Sequence, residues 1–165
     1  HQRHRRQRQM CIRDSFMIKV EDMMTRNPHT LLREHTLRDA KSMMEALDIR
    51  HIPVVDANKH LKGLVTHRDI LAAQESCLHP DEAEQSFTLD TPLYEVMHTN
   101  IMTAEPRAGL KESAIYMQKH KVGCLPVVNK GHLVGIITDT DFVTIAINLL
   151  ELQEEVEPEE LESNE

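Results

Sequence analysis

The feature that most constrains this chain is that it says nearly the same thing twice. Shifted by 73 positions, the first half lies on the second. Met24 falls on Met97, Asn27 on Asn100, Leu37 on Leu110, Met44 on Met117, and Pro53-Val54-Val55 on Pro126-Val127-Val128. One residue is lost in a turn and the offset becomes 72. His60-Leu61 then matches His132-Leu133, and GLVTHRD (63–69) matches GIITDTD (135–141). Self-similarity of this kind means two copies of one supersecondary unit. A unit of about 60 residues buries too little surface to be comfortable alone, so the two copies are expected to pack on one another.

Each copy has the same coarse pattern. A short opening helix (Val20–Met24; Leu93–Met97) leads into a brief extended piece (His29–Leu32; Met102–Glu105). An amphipathic helix follows, with Leu37, Ala40, Met43, Met44 and Leu47 at helical spacing in copy one. Thr36 with Asp39 three residues on predicts a capping box. In copy two Leu110, Ala114, Met117 and Tyr116 are expected on the buried side. Two short strands come next: IPVVD (52–56) with LKGLV (61–65), and LPVVN (125–129) with LVGII (133–137). Proline near a strand start is tolerated because the missing N–H is not needed there. A closing helix begins at Thr66 or Thr138. With aromatics at 3% and Trp absent, the core falls to Ile, Leu, Val, Ala and the nine Met.

The copies span residues 17–75 and 92–150, with a polar connector at 76–91. An acidic tail at 151–165, which carries Pro158, reads as disordered. The basic stretch HQRHRRQRQ and the MCIRDS after it read as a non-native or disordered leader, residues 1–16, with Met17 as the start. That leader holds five of the 19 Lys and Arg and one of the 27 Asp and Glu, so the remainder is more acidic than the whole-chain charge of −8. An acidic body argues against nucleic-acid binding, which needs a basic footprint. No apolar run approaches the roughly 20 residues that span a bilayer. Three cysteines without CxxC spacing point to a reducing compartment, hence the cytoplasm.

Taken alone, each TxxD is a helix cap: the threonine accepts an amide, and the aspartate suits the positive end of the helix dipole. Its context adds more. Gly63 and Gly135 let another group approach the strand backbone closely. Amides at a helix start suit an anion, and a carboxylate one turn in can hold two vicinal hydroxyls. Phosphate beside a diol describes the ribose end of a nucleotide. The eleven histidines lack metal-ligand spacing. Cys124, before Leu125-Pro126, reads as a buried structural thiol.

Two copies of an element reading xPVV, followed by Asp56 or Asn129, and then GhhTxxDhh make residues 17–150 resemble a tandem pair of cystathionine-β-synthase (CBS) domains. The resemblance implies an α/β (α+β) fold of two β-α-β-β-α units related by pseudo-twofold symmetry. It implies a regulatory module that senses an adenosine-containing ligand (AMP, ADP, ATP or S-adenosylmethionine) in clefts between the units, with no required cofactor, no catalytic residues and no metal. One cleft would use Thr66, Arg68 and Asp69 with Asn100, Met102, Val122 and Gly123. The other would use Thr138, Thr140 and Asp141 with Asn27, His29, Ile49 and Arg50. Asp69 and Asp141 would hold ribose hydroxyls, and Thr66 and Thr138 would meet phosphate. Met102 or His29, with Val122 or Ile49, would line the adenine slot. Arg68 predicts that the Asp69 cleft favours a charged nucleotide, and Asp139 that the Asp141 cleft favours a less charged one. A homodimer and a regulated partner protein are also expected. The alternatives are a nucleotide-hydrolysing enzyme using Asp139 and a structural dimerisation unit with empty clefts.

Overall fold

The computed structural model describes residues 17–75 and 88–156. The leader, most of the connector, the end of the tail, Cys11 and Cys77 lie outside them. The elements are α1 Val20–Met23, β1 Thr25–Arg26, β2 Leu31–Leu32, α2 Leu37–Leu47, β3 His51–Val55, β4 Leu61–Thr66 and α3 His67–Glu75. The second half supplies α4 Leu93–Val96, α5 Leu110–His120, β5 Cys124–Asn129, β6 His132–Thr138 and α6 Asp139–Val156. The pattern expected of each copy is therefore present twice. α6 runs past residue 151, so the acidic stretch begins inside a helix.

The strands form two three-stranded sheets, ordered β2-β3-β4 and β1-β6-β5. β3–β4 and β5–β6 are antiparallel hairpins, with a register shift at the equivalent points Val54/Val55 and Val127/Val128. β2 pairs parallel to β3, and Ala104 bridges parallel to Val127 at the matching place. β1 belongs to the first copy but pairs with β6 of the second, Thr25 opposite Ile136. In return, His98 bridges Leu64 of β4, with backbone hydrogen bonds of 2.9 Å in both directions. Each opening segment thus lies on the other copy's sheet.

The cores follow the same crossing. Val20 and Met24 are buried with Ala104, Leu110, Met117, Leu125, Val127 and Ile137 of the second copy. Leu89 and Leu93 are buried with Leu31, Leu37, Ala40, Met44, Ile52, Val54, Val65 and Ile70 of the first. The Val20 amide donates to the Ala108 carbonyl at 2.9 Å, and the Leu93 amide to the His35 carbonyl at 2.8 Å, which fixes both opening helices across the divide. A third, small cluster of Leu64, Cys124 and Ile136 seals the seam between the sheets. At its rim the hairpin turns meet, with the His60 and His132 rings 4.2 Å apart.

Local chemistry explains the elements. The Thr36–Asp39 capping box forms as expected: the Thr36 amide donates to Asp39 Oδ2 at 2.9 Å, and Thr36 Oγ1 accepts from the Asp39 amide at 3.4 Å. α2 and α5 end on Asp48 and Lys121, equivalent residues that both adopt a left-handed conformation. Two side-chain expectations fail. Leu47 is 43% exposed and Tyr116 38% exposed. The buried face of α5 is Leu110, Ser113 and Met117, because the Ser113 hydroxyl satisfies itself on the Gly109 carbonyl at 2.9 Å. Tyr116, one position off that face, packs on His120 instead.

Candidate functional site

The crossing brings both TxxD turns to one place. Strand pairs His51–Thr66 and Cys124–Thr138 end side by side, each handing a threonine to a helix start. Between them opens a cleft of about 1470 Å³, above the roughly 300–1,000 Å³ of an ordinary small-molecule pocket. The sequence reading separates two clefts; in the structure the two halves are continuous.

Its walls come from both copies. Thr66, Arg68, Asn100, Met102, Val122 and Gly123 stand on it, as do Thr138, Thr140, Asp141, Asn27, His29, Ile49 and Arg50. Asp69 is the one expected site residue that does not. It is turned inward, with its side chain 17% exposed. Ile49 and Val122 are half-buried, while Met102, His29 and the two arginines are exposed. Asn27 holds its turn with a positive φ of 47°.

The aspartates do serve as caps. The Thr66 amide donates to Asp69 Oδ2 at 2.7 Å and the Thr138 amide to Asp141 Oδ2 at 2.8 Å, and both threonine hydroxyls add a contact at 3.1 Å. One carboxylate oxygen of each is thereby spent on its own helix, and one is left over. His98 Nε2 donates to the remaining Asp69 oxygen at 2.7 Å. The remaining Asp141 oxygen has no partner among the described residues.

Several lining residues were not anticipated. Arg26 reaches the cleft from β1 and donates to the Glu21 carbonyl at 3.0 Å. Cys124, expected only as a buried thiol, also lines the cleft; it occupies the position equivalent to His51, whose place beside a cleft the sequence does suggest. Burial pushes the His51 imidazole below its ordinary value, against Asp139, which pulls it up. Burial also pushes the Cys124 thiol up to about 12, so it is not a nucleophile at neutral pH. Among the described residues no group of three or more His, Cys, Asp or Glu could hold a metal, and no helix is long and apolar enough to cross a membrane.

The arrangement can therefore offer hydroxyls, a carboxylate oxygen, guanidinium groups and two half-buried aliphatic walls to a ligand held between the copies. Comparison with known proteins gives consistent matches. The CBS domain family matches residues 20–76 and 93–148. The crystal structure of a candidate acetoin utilization protein (AcuB) from Vibrio cholerae is similar over 87% of this chain and all of its own, with 71% identity and a TM-score of 0.74. CBSX2, solved in complex with AMP, is 27% identical with a TM-score of 0.68, covering 80% of this chain and 98% of its own. The CBS domain pair of protein MJ0100, solved with 5′-methylthioadenosine and S-adenosyl-L-methionine, is 25% identical with a TM-score of 0.68, covering 81% and 98%.

Proposed function

The chain belongs to the CBS domain family, and from that premise we propose that it is a regulatory module that binds an adenosine-containing ligand, in the class of AMP, ADP, ATP and S-adenosylmethionine, in the cleft between its repeats. The observation that carries this reading is the shared cleft, which is lined by residues of both TxxD turns and by turn residues of both copies. The solved relatives with AMP and with 5′-methylthioadenosine and S-adenosylmethionine support the ligand class.

In this reading the free oxygen of Asp141, and that of Asp69 once His98 moves aside, accept ribose hydroxyls. Thr66 with Arg68, and Thr138 with Thr140, face the 5′ substituent. Adenine lies between Ile49 and His29 or between Val122 and Met102, with Asn27, Arg50, Asn100 and Gly123 completing the walls. A ligand touching both copies favours whichever relative placement it fits best, and its differential affinity sets the size of the shift. A partner protein reads that placement in the cytoplasm. Val143, Ile147 and Leu150 form an exposed stripe on α6, at 58%, 49% and 59% exposure. That stripe supports a symmetric homodimer, which sedimentation velocity would test.

The decisive experiment is thermal unfolding against AMP, ATP, S-adenosylmethionine and 5′-methylthioadenosine. A ligand at 100 times its Kd adds about 2.7 kcal/mol. No shift with any of them would leave a scaffold with an empty cleft. Turnover of ATP with Mg²⁺ that disappears in Asp139→Asn would replace the binding module with a hydrolase.

A further inference from the structure

The two halves of the cleft differ in what already uses their polar groups. Position 98 carries histidine where the other repeat has Thr25, and both residues sit on equivalent bridges, opposite Leu64 and Ile136. The imidazole reaches Asp69 and takes its second oxygen at 2.7 Å. Thr25 makes no such reach, and Asp141 keeps its second oxygen open to the cleft. The residue after each threonine differs as well: His67 in one half, Asp139 in the other. Asp139 Oδ1 accepts from the Thr140 amide at 2.8 Å and meets the Thr140 hydroxyl at 3.5 Å. A protein carboxylate therefore stands at the first turn of α6 on the lining of the cleft.

We propose that His98 and Asp139 set the specificity of the cleft: His98 keeps Asp69 engaged so that an adenosyl ligand fills the Asp141 half first, and Asp139 turns that half against a 5′-phosphate and toward an adenosine with an uncharged or cationic 5′ group. This rests on the adenosyl-binding reading above and narrows it.

The cations of the Asp141 half do not cancel Asp139. Arg26 is drawn to the Glu21 carbonyl. Arg50 is exposed to solvent, where water and salt screen its charge. The magnitudes are moderate. The His98 side chain is 61% exposed, so its hydrogen bond to Asp69 competes with water; displacing it weakens that half by about two- to five-fold. An exposed carboxylate one turn from a phosphate disfavours it by roughly five- to ten-fold at physiological salt.

Isothermal titration of the full chain with 5′-methylthioadenosine, adenosine and AMP tests this in wild type, Asp139→Asn, His98→Thr and Asp141→Asn. The asparagine at 141 keeps an oxygen for the helix cap. Wild type should bind 5′-methylthioadenosine more tightly than AMP. Asp139→Asn should strengthen AMP binding about five- to ten-fold and leave 5′-methylthioadenosine within about two-fold. His98→Thr should tighten the weaker site by about two- to five-fold, and Asp141→Asn should weaken the tighter one. Binding with AMP preferred in wild type and unchanged by Asp139→Asn overturns the proposal and leaves the binding reading standing. So does a tight site that survives Asp141→Asn. If none of the three compounds binds wild type at millimolar concentration, the binding reading itself falls.

Discussion

Adding one methyl group at Gly63 or at Gly135 should separate two superficially identical positions. Both glycines lie in the strand before a TxxD turn, and each receives a methionine from the other copy's opening segment. An alanine methyl at 63 would collide with Met97 Sδ and sit 2.7 Å from its Cγ and 3.1 Å from its Cβ. All three atoms belong to one adaptable side chain. A methyl at 135 would collide with Met24 Sδ and lie 3.0 Å from both Met24 Cγ and the Thr25 carbonyl oxygen. That oxygen is backbone in β1 and cannot swing away without pulling the two-residue strand off β6. Overpacking costs about 1–3 kcal/mol, offset by about 0.4–1 kcal/mol from the stiffer unfolded chain. Gly63→Ala should therefore cost about 1 kcal/mol and Gly135→Ala about 2 kcal/mol or more. Urea unfolding would read the difference as a lower midpoint at unchanged slope, and calorimetry as about 2–4 °C per kcal/mol. Trimming the methionine in each background sharpens the test. Met97→Ala should cost visibly less beside Gly63→Ala than alone, a coupling of about 1 kcal/mol. Met24→Ala should rescue Gly135→Ala less, because the carbonyl remains. Equal costs at the two glycines, or additivity within about 0.5 kcal/mol in the Gly63 and Met97 pair, would refute the reasoning.

Three further outcomes are expected. Burial depresses the His51 imidazole below 6.5, so the unfolded chain takes up that proton first as pH falls. Its contribution to stability is whole above that pH and is lost below it; His51→Gln should flatten the melting profile on the acid side of pH 6.5, and an unchanged profile would count against the burial argument. Cys124 should resist iodoacetamide in the folded protein and react only on unfolding, read by mass spectrometry of its own peptide; fast native labelling would contradict a thiol pushed up to about 12. Thr36→Ala removes the hydroxyl that accepts the Asp39 amide and should lower stability by about 1 kcal/mol, whereas Gly109→Ala, at a cap with no side-chain bond to lose, tests a different cost.

The repeat made most of the fold legible. Strand and helix positions follow from apolar spacing and from PVV and GhhT recurring in phase, and the family is carried by those same residues. What escaped the sequence is what needs the third dimension. Aligning a repeat with itself gives the same matches whether an opening helix packs on its own copy or on the other, so the burial of Val20 beside Leu125 and of Leu93 beside Ile52 was not visible. The hydrogen bond from His98 to Asp69 depends on that crossing and joins residues 29 apart in sequence. Tyr116 is apolar enough to suggest the buried face, but that place is taken by Ser113, whose hydroxyl needs only its own helix to be satisfied. The seam residues His51 and Cys124 carry no shared chemistry, so the sequence suggests a cleft-side histidine and a buried thiol separately and does not show that they are equivalent positions on one cleft.

The placement of the opening helices bears on how the chain is made. On a ribosome, residues up to Glu75 emerge before Leu89 and Leu93, so the first sheet waits with an uncovered apolar face until the second repeat has begun to appear. The second repeat, by contrast, finds Val20 and Met24 already synthesised. Covering of the first sheet is thereby deferred to late translation, and a nascent chain stalled between the repeats would be a natural client for a chaperone.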